Sequence, residues 1–168
     1  MAEPPPFDPH AILTALERRR VTYVVIGSFA RVIRGAEELP DGLDIVPSPR
    51  EQNLQRLEDS LRDLDATRKD GKEPALVDAA ASEAVIELTS PAGEVKVVPR
   101  PEGTSGYDDL RRAASREHLG RGLRPAVAST ADLARMLAAL GREEDQPKLR
   151  ALRQVAELER SLGPELTL

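Results

Sequence analysis

The sequence predicts an α+β fold: a small mixed β-sheet flanked by helices, with further helices at the C-terminus. Three observations carry that prediction. Short runs rich in β-branched residues recur at 21–26, 43–46, 84–89 and 94–99. Stretches with apolar residues every three to four positions lie before and between them, the spacing of an amphipathic helix. Two successive helical stretches over 129–162 follow the last strand.

In chain order, residues 1–7 read as a loose tail and the remainder of 1–168 as one domain. Asp8-Pro9 is a helix start, with Asp as the cap and Pro in the first turn. Ile12, Leu13 and Leu16 share one face up to Arg18-Arg19-Arg20, where cations suit the helix dipole. Val21 to Ile26 is a buried strand, broken by Gly27-Ser28. Phe29 to Arg34 reads as helix and closes at Gly35. Leu43 to Val46 is the second strand. Ser48-Pro49-Arg50-Glu51 has capping-box spacing, and Leu54, Leu57, Leu61 and Leu64 form the stripe of the helix that follows.

Residues 67–83 show no period and read as loop. Ala84 to Thr89 and Glu94 to Pro99 form two strands around a Ser90–Gly93 turn. Residues 99–106 are loop, with Gly103 to Gly106 a connector or a mobile segment. Tyr107 to Arg116 is a short helix, and Leu123 to Ala128 is extended. Ser129 starts a helix with apolar residues Leu133, Met136, Leu137 and Leu140, ended by Gly141. Gln146 to Leu162 forms the last.

Composition narrows the chemistry. The 168 residues include 40% hydrophobic but only 2% aromatic side chains, so Leu, Val, Ile and Ala must fill a single core. There is no cysteine. That excludes disulfides and thiolate metal sites, leaving carboxylates to hold a hard ion such as Mg²⁺ or Mn²⁺. No apolar run approaches the ~20 residues of a membrane span. The opening residues lack the basic and apolar regions of a signal peptide, so the cytoplasm is the expected compartment. Net charge is −5, which argues against broad electrostatic binding to nucleic acid but leaves room for a local basic patch. Lysine occurs only at 69, 72, 96 and 148. The arginine bias fits either gene composition or phosphate recognition. His10 and His118 have no ligand spacing and are expected at the surface.

The chemistry-bearing stretch is 21–46. A strand that ends in Gly27-Ser28 and starts a helix presents free backbone N–H groups to an anion. Asp44 lies between Leu43 and Ile45, in an apolar strand where a carboxylate needs a partner. It is either an edge residue facing solvent, a member of an ion pair with arginine, or part of a site. Gly42 and Asp44 share a face by alternation, and Asp41 points the other way unless Gly42 relaxes the backbone.

This order of strand, Gly-Ser, helix, Gly35 and a second strand with an acid resembles the nucleotidyltransferase fold of the DNA polymerase β superfamily. In that family the turn grips a nucleoside triphosphate and an Asp-x-Asp holds metal ions. Here Gly42 stands in place of the first Asp. The abortive-infection toxin branch carries a third acid where this chain has Lys96. Glu94, on the same face, could substitute, or the Lys96 ammonium could meet the triphosphate. Residues 129–159 are similar to a stretch of the same branch in which an Arg-x-x-Asp ends a helix, matched by Arg142 and Asp145. Leu137 stands where that helix has a basic residue. Asp145 also suits a plain N-cap.

The resemblance spans most of 21–160. It implies transfer of a nucleoside monophosphate from NTP, with Mg²⁺ or Mn²⁺ held by Asp44, Asp41 and Glu94. Gly27, Ser28, Arg31 and Arg34 would bind the nucleotide, and Asp44, Asp41, Lys96 and Asp145 would form the catalytic set. In the toxin branch the acceptor is typically tRNA and a cognate antitoxin restrains the enzyme. In the minimal branch the acceptor is a protein. The alternatives are a degenerate member that binds a nucleotide or protein without transfer, and an interaction module with no nucleotide.

Overall fold

Residues 6–73, 75–77 and 83–166 are described in a computed structural model, with side chains up to residue 162 in the last helix. The architecture is α+β. Helix α1 (Pro9–Arg18) leads into strand β1 (Tyr23–Ile26), helix α2 (Gly27–Ile33), strand β2 (Leu43–Pro47) and helix α3 (Glu51–Asp63). Strands β3 (Thr67–Arg68), β4 (Ile86–Ser90) and β5 (Gly93–Val97) follow. Then come α4 (Tyr107–Leu110), β6 (Ser115–Arg116), β7 (Ala126–Val127), α5 (Thr130–Leu140) and α6 (Gln146–Leu166). The seven strands form one mixed sheet in the order β3-β4-β5-β2-β1-β7-β6. β2–β5 and β1–β7 are parallel, and the other pairs are antiparallel.

Alternation sorts the strand residues. Val25 pairs with Ile45, Ile45 with Val97 and Val97 with Ile86. All four are buried, giving one continuous apolar row across the sheet. Ile12, Leu13 and Leu16 of α1 and Leu54, Leu57 and Leu61 of α3 belong to the same hydrophobic cluster. Burial of each such side chain stabilises by roughly 1.5–3 kcal/mol. Two polar contacts fix the helices. Ser60 Oγ donates to the Ala15 carbonyl at 3.1 Å, joining α3 to α1. Buried Asn53 accepts from the Thr22 N–H at 2.7 Å and donates to the carbonyls of Thr22 and Ser48, both at 2.9 Å.

The capping signals meet two outcomes. Asp8 accepts from the Ala11 N–H and caps α1, and Ser129 accepts from the Asp132 N–H and caps α5. Gly141 ends α5 in the left-handed region at φ 64°. Ser48, by contrast, does not cap α3. Arg50 stands at that position with no side-chain bond, while buried Ser48 donates its N–H to the Thr22 carbonyl at 3.0 Å. The tertiary crossing with β1 outweighs the local capping box.

Several boundaries differ from the sequence expectation. The expected helix at 107–116 stops at Leu110, because Ser115 and Arg116 pair with Val127 and Ala126. The extended segment at 123–128 contributes only Ala126–Val127 as strand. Pro125, just before it, has no N–H to donate to a ladder. Within the expected loop 67–83, residues 67–68 pair with β4; residues 74 and 78–82 lie outside the described set, as do 1–5 of the expected tail. Phe7 of that tail packs edge-on against Phe29, with ring centroids 5.6 Å apart. His10 is half-buried rather than on the surface, with Nε2 2.7 Å from the Leu119 carbonyl. No described helix is long and apolar enough to cross a membrane.

Candidate functional site

β1 passes directly into α2 at Gly27, which takes φ +76°. A Cβ at this position would lie 2.9 Å from Asp44 Cγ. The Asp44 carboxylate therefore occupies the space that any side chain on residue 27 would need. Glycine here serves both the left-handed turn and the close approach.

Asp44 reaches the turn through sheet register. It pairs with Ile26 on β1 and Lys96 on β5, and Lys96 pairs with Glu87 on β4. Ile26, Asp44, Lys96 and Glu87 thus form one row on the sheet face opposite Ile45. Lys96 Nζ lies 3.8 Å from Glu87 Oε1. Among the described residues none donates a hydrogen bond to the Asp44 carboxylate. Burial pushes its carboxyl up to about 6, against the opposing pull of Lys96 and with a further push from Asp41. A half-buried carboxyl without a hydrogen-bond partner at the end of a strand is a functional-site signal of the kind that desolvation produces.

Asp41 sits on the other member of the turn. Ser28 Oγ donates to Asp41 Oδ1 at 2.9 Å and lies 3.3 Å from the Asp41 N–H. β2 begins only at Leu43, so Asp41 precedes the regular strand and its alternation does not govern it. Gly42 is not in the left-handed region. Its constraint is space, since a Cβ there would stand 2.8 Å from the Glu94 carbonyl oxygen. Two carboxylates thus flank the Gly27–Ser28 dipeptide, one against each residue.

The remaining expected site residues go elsewhere. Glu94 Oε1 is 2.8 Å from Lys69 Nζ in an exposed pair. Arg31 makes a bidentate contact with Glu38, both bonds 2.9 Å. Arg34 donates to the carbonyls of Ala128 and Val127 at 3.0 and 2.9 Å, to Glu117 at 2.6 Å and to Ser115 Oγ at 2.9 Å. It straps α2 to β6 and β7. Asp145 is buried in a short 3₁₀ turn (Glu143–Asp145) and accepts from Arg142 Nε at 2.5 Å. Glu87 was missed in the sequence, although a Ser90–Gly93 turn already sets it opposite Lys96.

Among the described residues no three Asp, Glu or His side chains come together to hold a metal. Mg²⁺ is commonly held by one or two carboxylates, with phosphate oxygens and water completing the octahedron. The acids at the turn are Asp44 and Asp41, too few for an all-protein cage. The Gly103–Gly106 loop walls a separate open cleft of about 510 Å³ with Arg100, Asp109 and Arg135. Arg135 grips Asp109 through two 3.1 Å bonds and holds that carboxyl below the usual range. This cleft shares no lining residue with the turn.

Comparison with protein-family models and with curated proteins finds no match.

Proposed function

We propose that this protein is nucleotidyltransferase-like. It takes an NTP at the Gly27–Ser28 turn and transfers the nucleoside monophosphate to an RNA acceptor such as tRNA, or to a protein acceptor, as a toxin restrained by an antitoxin would. The observation that supports this reading most is the pair of carboxylates on the turn, with Asp44 against Gly27 and Asp41 against Ser28.

In this mechanism Asp44 and Asp41 would hold Mg²⁺ or Mn²⁺, which supplies charge neutralisation at the phosphate oxygens. The bare Cα of Gly27 leaves room for the Asp44 carboxylate against the turn. Lys96, next to Asp44 across the ladder, adds a fixed positive charge. The acceptor hydroxyl oxygen forms a bond to the α-phosphorus as its proton passes to water, the α–β phosphoanhydride bond breaks, and pyrophosphate leaves. Arg31 and Arg34 take no part while Glu38 and Glu117 hold them.

A second reading has its own support. Gly42 abuts the Glu94 carbonyl, Lys96 stands opposite Asp44, and Glu94 is turned to Lys69. These favour a degenerate member that binds a nucleotide or a protein without transfer. One experiment separates the two: incubation with each α-³²P-labelled NTP, total tRNA and cell protein, with Mg²⁺ or Mn²⁺. Label in RNA or protein that Asp44→Ala abolishes supports transfer. Chelator-insensitive NTP binding without any label supports the degenerate member.

A further inference from the structure

The chain is acidic as a whole, yet its charge is unevenly laid out. Residues 111–124 hold five of the 24 basic residues and one of the 29 acids. That segment carries +4, and the other 154 residues carry −9. Its lone acid, Glu117, is already taken by Arg34.

Arg111, Arg112, Arg116, Arg121 and Arg124 are all exposed. Arg111 pairs with Asp108 at 3.2 Å; among the described residues the other four have no carboxylate within ion-pair distance. Arg116 lies on β6, the last strand of the sheet, and donates to the Arg124 carbonyl at 3.0 Å. The Arg124 guanidinium lies 3.2 and 3.4 Å from the two ring nitrogens of His118. Arg121 and Arg18 line one groove of about 280 Å³, which Asp8 and Asp63 also border, and the His10 contact to Leu119 tacks this segment to α1. Arg116 and Arg124 are therefore neighbours on the two arms of one hairpin, and Arg121 lies in the 119–123 turn that closes it, beside Arg18.

The surface has no apolar centre. Among the described residues the exposed large apolar side chains are Leu39, Val85, Leu140, Leu158 and Leu162, none of them in this segment. Protein interfaces are built around apolar and aromatic anchors. Stacking on single-stranded bases needs exposed aromatic rings; residues 111–124 include no Phe, Tyr or Trp, and their one imidazole, His118, lies against the Arg124 guanidinium. What remains is a set of planar forks suited to phosphate oxygens. We propose that Arg116, Arg121 and Arg124, with Arg18, bind the phosphodiester backbone of a nucleic-acid duplex without reading its bases. This stands on charge placement alone and needs no nucleotide at the Gly27–Ser28 turn. If transfer occurs there, the same surface names the acceptor class.

The test is fluorescence anisotropy of the full chain with labelled 20-base-pair RNA and DNA duplexes, across 25–300 mM NaCl and without NTP. Binding to either duplex is expected, falling steeply with salt. Arg116→Gln/Arg121→Gln/Arg124→Gln should flatten the slope of log Kd against log salt by about 2–3, at roughly 0.9 per phosphate contact. Arg121→Gln alone should flatten it by about 1, since the Arg121 side chain makes no hydrogen bond among the described residues. Arg50→Gln/Arg56→Gln/Arg153→Gln removes equal charge from other exposed positions and should leave the slope unchanged. Equal loss in that control, no binding at 25 mM salt, or polyglutamate competing as well as the duplex would each overturn the proposal.

Discussion

A Cβ on Gly42 would stand 2.8 Å from the Glu94 carbonyl oxygen. The β5 backbone closes on residue 42, the position where the resembled family carries its first metal-binding Asp. The absence of that Asp is a packing matter as much as a chemical one. Gly42→Asp should therefore destabilise the fold by about 1–3 kcal/mol, as overpacking does. It should not tighten Mn²⁺ binding. Urea midpoints and Mn²⁺ titration check both; a stable variant with tighter Mn²⁺ binding would refute the steric account.

Gly27→Ala meets two penalties, a left-handed backbone and the Asp44 carboxylate in its path. The backbone alone costs about 1–2 kcal/mol. Gly27→Ala combined with Asp44→Gly should recover the collision but not the backbone cost. A double-mutant cycle on urea midpoints with a coupling near zero would mean that the carboxylate simply swings away.

The Asp44 carboxyl is raised to about 6 by burial, so the folded state holds its proton more tightly than the unfolded chain does. Stability from this group is present at low pH and lost as pH rises from about 4 to about 6, then stays level. Across two units the loss is on the order of 2–3 kcal/mol. Asp44→Asn should lack this decline. Urea midpoints at pH 4.5 and 7.5 for both proteins measure it, and parallel changes would contradict the raised carboxyl.

Arg34→Ala should cost about 2–4 kcal/mol, because it strands two carbonyls and one half-buried carboxylate. Arg34→Lys should rescue little, as an ammonium cannot span four acceptors. Thermal unfolding reads this directly. Loss of NTP affinity with unchanged melting would instead make Arg34 a phosphate ligand.

What the sequence made legible depended on distance along the chain. Asp8, Ser129 and Gly141 act on groups within four residues, and each does what local capping predicts. The Ser90–Gly93 hairpin is likewise local. Ser48 carries an equally good local signal, but the crossing with Thr22 claims it. β3 and β6 are two residues each, too short to leave a period. Asp44 and the Gly27–Ser28 turn stood out because a carboxylate and a glycine interrupt apolar strands. Asp41 was ambiguous, since alternation applies only inside a strand and β2 starts two residues later. The strap made by Arg34 leaves no mark in the sequence, because its four acceptors lie 81–94 positions downstream.

That separation orders events during synthesis. Chains grow from the N-terminus and fold as segments emerge. The helix that begins at Gly27 is made early, yet its strap needs residues 115, 117, 127 and 128. A nascent chain that stops short of residue 115 can form β1, the turn and β2 without anything to clamp the end of α2. The clamp on the end of α2 closes once β7 and Ala128 have left the ribosome.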